Sequence, residues 1–454
     1  MAQPAFSCTK PCFLYLNYLS SGINDGKHGS PIFPNQKEYT LNIRLRLIIM
    51  NFMEFFVWGS WLISLGGYMF NVLHFKGQEV SDIYGTMGVA SIFTPALFGI
   101  VADRWLNAER VLGLCHIIGA LLLFWASKVT DPQMLYYIML LNSFMFMPTI
   151  GLNNTVSFIV LGKSGFNIVK DFPPIRVWGT IGFIAAMWMV DLCGFNLSPM
   201  QLYISAGSGL LLGVYAFTMP GCPPVKSAVK RSLASSLGLD ALVLFQRNKM
   251  VIFFLFAMLL GAALQITNTF GSAFLGDFAN TYPDAFGVKH SNILISISQI
   301  SETLFILAIP FFLRRFGIKQ VMLMSIFAWV FRFGLFAIGN PGSGLWLLIL
   351  SMIIYGMAFD FFNISGALFV EKEADIKIRA SAQGLFMLMT NGFGAWVGNK
   401  ISGRVVDYFT VDGVKDWQSI WFSFAGYALL LGIVFPLVFR YKHVPSDEKV
   451  AVSH

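Results

Sequence analysis

An all-α membrane protein, with twelve transmembrane helices in two six-helix halves, is the fold class this sequence predicts. Three observations carry it. Of 454 residues, 56% are hydrophobic and only 12% charged, too little charge to clothe a soluble surface. From Leu41 onward, apolar runs of about 20 residues, the length that crosses a bilayer, follow one another along the chain. Between those runs, Lys and Arg collect very unequally on alternate sides.

Taken in order, Met1–Thr40 scatters Gly, Ser, Asn and Pro without period and reads as a disordered extension. The apolar run after Lys10 is short and no small-residue cleavage site follows it, so it is not a signal peptide. Spans are predicted near 43–73, 80–102, 110–128, 133–161, 173–194 and 199–219, then 250–275, 290–314, 318–338, 344–370, 379–403 and 417–440. Residues 220–249 interrupt the pattern with Pro223, Pro224 and a basic group, Lys226, Lys230 and Arg231. They read as a cytoplasmic linker between an N-terminal six-helix bundle, 41–219, and a C-terminal one, 250–441, with a cytoplasmic tail at 442–454. On that topology 23 Lys and Arg residues fall in inner segments and 6 in outer ones, which argues for both termini in the cytoplasm. Arg176 and Arg332 are left inside spans. Orientation in the bilayer explains the net charge of +8, so no nucleic-acid partner is implied. The 5 cysteines (Cys8, Cys12, Cys115, Cys193 and Cys222) lack metal-ligand spacing and read as small apolar residues.

Polar groups inside the spans are the candidate functional residues. In Asp171–Phe183, Pro173 and Pro174 suit a helix start, which puts Arg176 in the first turn. Thr180 and Phe183 follow four and seven residues later on the same face. A cation in a span faces a partner, a cavity or a substrate path, or else it lies near the boundary and snorkels to headgroups. In the seventh span Gln265 and Asn268 share a face, and in the eighth Gln299 and Glu302 repeat the spacing. In the tenth, Tyr355 precedes Phe359 and Asp360 by one turn. Such groups either bond helix to helix or line a site. Together they offer amides for a base edge, a carboxylate for vicinal hydroxyls and rings for stacking. No His-Glu-x-x-His, phosphate loop or nucleophile elbow is present, so an enzyme is not expected. His116, read as lying at a helix start, looks structural.

The loop Gly99-Ile-Val-Ala-Asp103-Arg104 resembles the signature loop of the major facilitator superfamily, which makes Asp103 and Arg104 a candidate conformational latch. The equivalent after the eighth span, Arg314-Arg315-Phe316-Gly317-Ile318-Lys319, keeps the bases but lacks the acid. The runs 171–183, Leu264–Asn268, Ser298–Phe305 and Ala358–Gly366 are similar to the nucleoside:proton symporter family of that superfamily, and the likeness extends from about Leu41 to His454. The resemblance implies a monomeric carrier of the bacterial inner membrane, without cofactor or metal. It would import purine and pyrimidine nucleosides, such as uridine and adenosine, with protons by alternating access. Carried over by motif, Arg176, Thr180, Phe183, Gln265, Asn268, Gln299, Glu302, Tyr355 and Phe359 would face substrate, and Asp360 falls on the acidic position linked to proton coupling. Burial disfavours a charged carboxylate, so Asp360 is expected to carry the proton and Glu302 chiefly to bind substrate. In the opposing assignment Glu302 or Glu54 carries it. Glu54 stands where a neutral amide is expected. A proton symporter for a sugar or disaccharide is the alternative function.

Overall fold

The computed structural model describes residues 36–224, 239–376 and 378–441. The basic group Lys226, Lys230 and Arg231, the tail and nearly all of the N-terminal extension lie outside them. Its last residues differ from expectation, since α1 (Gln36–Gly59) already begins within the segment read as disordered. The first span is also broken. The chain turns through 60–64 before α2 (Leu65–Asn71). Ser60 Oγ donates to Phe56 O at 2.7 Å, a bond to the preceding turn that bends a helix, and Ser64 Oγ leaves for Gln201 Oε1 at 2.7 Å.

Five helices complete the N-terminal half: α3 (Gly77–Arg104), α4 (Ala108–Ala126), α5 (Pro132–Lys163), α6 (Ile168–Leu192) and α7 (Met200–Ala216). Within the predicted linker, a 3-10 turn (Leu239–Gln246) leads into α8 (Asn248–Gly276), the short α9 (Phe286–Lys289), α10 (Ser291–Ile338) and α11 (Leu345–Glu373). Then come α12 (Arg379–Met387), a π segment (Leu388–Gly394), α13 (Ala395–Tyr408), a two-residue hairpin, and α14 (Trp417–Val438). Among the described residues, 8 helices are long and apolar enough to cross a membrane on their own. One of these, α10, is two predicted spans joined at Gly317, whose φ of 77° sharply reverses the chain. Glycine reaches that backbone region without a Cβ penalty, so the expected basic loop shrinks to a single residue. The other predicted spans are α1 with α2, the 17-residue α7, and α12 with the π segment and α13. The fold is that of twelve spans in two halves.

In the N-terminal half α1 packs on α6 and α7, and α4 on α5 and α7. In the C-terminal half α10 packs on α11 and α14, and a ring cluster of Phe253, Phe362, Phe369 and Phe386 joins α8, α11 and α12. The halves meet through α2 on α8, α3 on α13, and α6 on α10. Near the linker, Glu109 Oε2 accepts from Cys222 N at 2.8 Å, and Lys163 Nζ donates to Gly221 O at 2.7 Å. Burial and the Glu109 charge push the Cys222 thiol up to about 12, consistent with a small inert residue.

Hydrogen bonds between the halves gather at the end of the bundle away from the linker. Asp191, at the end of α6, is wholly buried there. Its Oδ2 accepts from Asn292 N at 2.9 Å and Ile293 N at 3.3 Å in the first turn of α10, and its Oδ1 meets His290 Nδ1 at 2.6 Å. Asn196 links the same two parts through Asn292 Nδ2 at 2.7 Å. Asp407, at the end of α13, accepts from Gly77 N at 2.6 Å and Gln78 N at 2.9 Å in the first turn of α3. Each half thus places one carboxylate on a helix N-terminus of the other, where partial positive charge and free N–H groups await an anion. Lys400 and Asp82 add an ion pair at 2.7 Å between the halves.

Asp407→Asn keeps one acceptor but loses the charge. It is expected to shift the population toward a form open at this end by about tenfold, corresponding to about 1.4 kcal/mol. Distance distributions between spin labels on the ends of α3 and α13 should show a longer population. An unchanged distribution would mean that the carboxylate does not hold the closure.

Candidate functional site

The site is built outward from α6. That helix starts at Ile168, not at the prolines: Asn167 caps it, accepting from Lys170 N at 3.1 Å. A true side-chain cap outcompetes two residues whose only contribution is a missing N–H, so Pro173 and Pro174 fall inside the helix. Arg176 therefore lies two turns in, 8% exposed, with its guanidinium 4.0 Å from the centroid of the Phe55 ring. It does not snorkel. A Cβ on Gly179 would stand 2.5 Å from Arg176 Nη1 and 2.7 Å from the Phe55 ring, so the absent side chain makes room for this stack. Arg176 feels the charges of Glu302, from the other half, and of Glu54. Thr180 is partly exposed one turn on, and Phe183 is buried edge-on to Trp58 with centroids 6.1 Å apart.

From the C-terminal half, α8 supplies the amides. Every residue from Leu260 to Leu275 is buried except Gln265 and Asn268. In the middle of a core helix, these two polar residues alone of that stretch keep part of their surface uncovered by protein. Gln299 and Glu302 on α10 are likewise partly exposed. Among the described residues, the side-chain amides of Gln265, Asn268 and Gln299 make no hydrogen bond to protein. They do not tie helix to helix.

On α11, Tyr355 and Phe359 stack with centroids 6.0 Å apart and planes 10° from parallel. Tyr355 feels the charges of Glu302, Arg332 and Asp360. Asp360 is 4% exposed, and its Oδ2 has no hydrogen-bond partner among the described residues. The fold thus brings Arg176, Glu302, Tyr355, Phe359 and Asp360 into one group spanning both halves. Asp103 and Arg104 end α3 on the linker side, apart from it.

Sequence reasoning missed three contributors, Phe55, Trp58 and Arg332, and misplaced His116. Phe55 and Trp58 look like ordinary apolar residues of a span, yet they carry Arg176 and Phe183, and Trp58 Nε1 is buried without a partner among the described residues. Arg332, for which the sequence offers no partner, donates to Ser351 O at 3.0 Å and lies 4.4 Å from the Tyr355 ring centroid, bracing that ring. His116 lies well inside α4, not at its start, and meets Glu54.

Two halves closed at one end around unbonded amides, stacked rings and buried charges define a membrane transporter of the major facilitator fold, not an enzyme. The chain belongs to the nucleoside H+ symporter family, whose profile matches residues 41–444. It is 57% identical to the xanthosine permease of Escherichia coli, covering 91% of this chain and all of that one. It is 54% identical to the nucleoside permease NupG of Escherichia coli over the same shares. The crystal structure of nucleoside transporter NupG superposes with a TM-score of 0.84, covering 88% of this chain and 100% of that one. A bacterial homologue of the lysosomal transporter Spinster, 13% identical with a TM-score of 0.66, shares the fold.

Gly179→Ala forces the Arg176 guanidinium off Phe55. Overpacking of this kind costs about 1–3 kcal/mol, so the melting temperature of the purified protein should fall by several degrees. Gly207→Ala, where a Cβ meets nothing within 4 Å, should leave it unchanged. Equal behaviour of the two variants would remove the steric argument.

Proposed function

We propose that this symporter imports purine and pyrimidine nucleosides across a bacterial inner membrane by alternating access, with both termini and the linker in the cytoplasm. The linker end of the bundle is then the cytoplasmic end, and the closed end carrying Asp191 and Asp407 faces outward. The observation that carries the substrate reading is the set of three unbonded amides, Gln265, Asn268 and Gln299. A nucleoside base presents donors and acceptors along its edge, and a site that leaves amides unsatisfied is matched to such a ligand. The names of the curated relatives, a xanthosine permease and a nucleoside permease, support the same substrate class.

Glu302 and Arg176 serve the ribose hydroxyls and the polar rim of the base, Tyr355, Phe359 and Phe183 pack on its faces, and Thr180 adds a hydroxyl. Asp360 carries the proton. A carboxylate with an unpartnered buried oxygen is costly as an anion, and loading it from the outer face lets the halves rock about bound nucleoside. One inward proton charge gains about 2.3 kcal/mol per 100 mV, enough for roughly fifty-fold accumulation. Asp103 and Arg104 latch the cytoplasmic helix ends between turnovers.

Gln265→Ala removes one hydrogen-bond partner of the base, which typically costs about 1–3 kcal/mol, so uridine binding should weaken about tenfold or more. Full affinity retained in the triple alanine variant at Gln265, Asn268 and Gln299 would reject the amide site. For coupling, uridine uptake into vesicles with an imposed inward proton gradient should exceed equilibrium and collapse with protonophore. Adenosine should compete and free ribose should not; competition by ribose would favour a sugar. In Asp360→Asn the sustained uridine gradient should fall at least about tenfold per unit of pH gradient while uridine exchange survives. Undiminished accumulation would move the proton elsewhere.

A further inference from the structure

The buried pair of Glu54 and His116 takes no part in the site described above. Glu54 on α1 is fully buried, its Oε2 lies 2.8 Å from His116 Nε2 of α4, and its Oε1 accepts from Thr149 Oγ1 of α5 at 2.6 Å. Three helices of the N-terminal half therefore converge on one carboxylate deep in the bundle. We propose that Glu54 and His116 hold one exchangeable proton between them and form a second proton site, so that two protons accompany each nucleoside. The inference rests on the symporter reading and adds a site to it.

Position is the first argument. The pair stands two rings behind Phe183 of the candidate site: His116 lies edge-on to Phe146 at 6.1 Å, Phe146 meets Trp58 at 5.6 Å, and Trp58 meets Phe183. Charge is the second. Arg176 feels both Glu54 and Glu302, so it is a cation shared between the pair and the substrate carboxylate. Around the pair, α1 brings Glu54 itself, α4 brings Cys115 beside His116, α5 brings Thr149, α6 brings Arg176, and the other half brings Glu302. α7 carries no Asp, Glu, Lys, Arg or His, and the charged residues of α3 sit at its two ends.

Glu54 and Glu302 set two negative charges on the guanidinium of Arg176, while Asp360 and Arg332 meet the same group through Tyr355. A proton held by the pair, as imidazolium and carboxylate or as imidazole and carboxylic acid, makes the pair neutral and removes its pull on Arg176. The guanidinium is then given over to Glu302 and the substrate. The proton enters from the outward-open state and leaves to the cytoplasm when the far end closes. A hydrocarbon environment favours the neutral loaded group for the crossing.

The test uses the full chain in proteoliposomes, clamped at zero membrane potential with an inward pH gradient of one unit, reading the steady uridine ratio. Wild type should reach about a hundredfold, and Glu54→Gln and His116→Gln about tenfold. Asp360→Asn should retain about tenfold, and adding Glu54→Gln to it should abolish accumulation. Uridine exchange in each variant reports folding. A wild-type ratio of about tenfold overturns the second site and leaves the symporter reading standing. So does complete loss of accumulation in Asp360→Asn alone with exchange intact. Wild-type uptake that only equilibrates, unaffected by protonophore, overturns the symporter reading and the second site together.

Discussion

A guanidinium buried inside a membrane span cannot shed its charge, and the packing of α1 against α6 answers to housing the one at Arg176. Its surroundings must do what water no longer does. One face lies on the Phe55 ring, worth about 2 kcal/mol or more when desolvated, and the charge is answered by Glu302 from the other half and Glu54 from its own. That arrangement requires α1 and α6 to pack closely, which the missing side chain at Gly179 permits. It also makes Arg176 the residue through which the two halves sense each other, since its main counter-charge belongs to the domain that has to move.

The closed end solves a different problem, that of holding two halves together without making them inseparable. Both staples use a carboxylate from the end of one helix on the first turn of another, and they stand in equivalent places: α6 on α10, and α13 on α3. Charge-assisted bonds of this kind are strong when dry, yet both partners rehydrate fully on opening, so the net cost of release stays small. A hydrophobic seam of the same area would not have that property. The repetition follows from the two-halves construction: one device, applied twice, gives a closure that opens along both seams.

Much of this was legible in the sequence because hydropathy and charge bias act over whole spans. All twelve spans lie close to their predicted positions, and the five residues Arg176, Glu302, Tyr355, Phe359 and Asp360 meet in one group. What was not legible depends on local competition or on contacts between distant spans. Pro173 and Pro174 signal a helix start, but Asn167, six residues before Pro173, offers a better cap, and only the folded chain shows which wins. Gly317 could have been a loop residue or a hinge. Phe55 and Trp58 are invisible as site residues because an aromatic ring facing a guanidinium and one facing lipid obey the same pattern. His116 and Glu54 lie 62 positions apart and share no motif, so their meeting is purely tertiary.

That last pair bears on how the field at Arg176 is set. With a neutral amide at 54, Arg176 would answer to Glu302 without the competing charge of Glu54. With a carboxylate at 54 the same cation has two claimants, and the state of the pair decides between them. A structural ion pair placed there merely for stability would be a poor choice, because burying it costs nearly what its Coulomb attraction returns, and an apolar pair of the same volume packs as well. A pair that exchanges a proton has a reason to be ionisable. Its position behind the Phe146 and Trp58 wall also keeps it out of the substrate path, so that loading changes the field at Arg176 without changing the shape of the site.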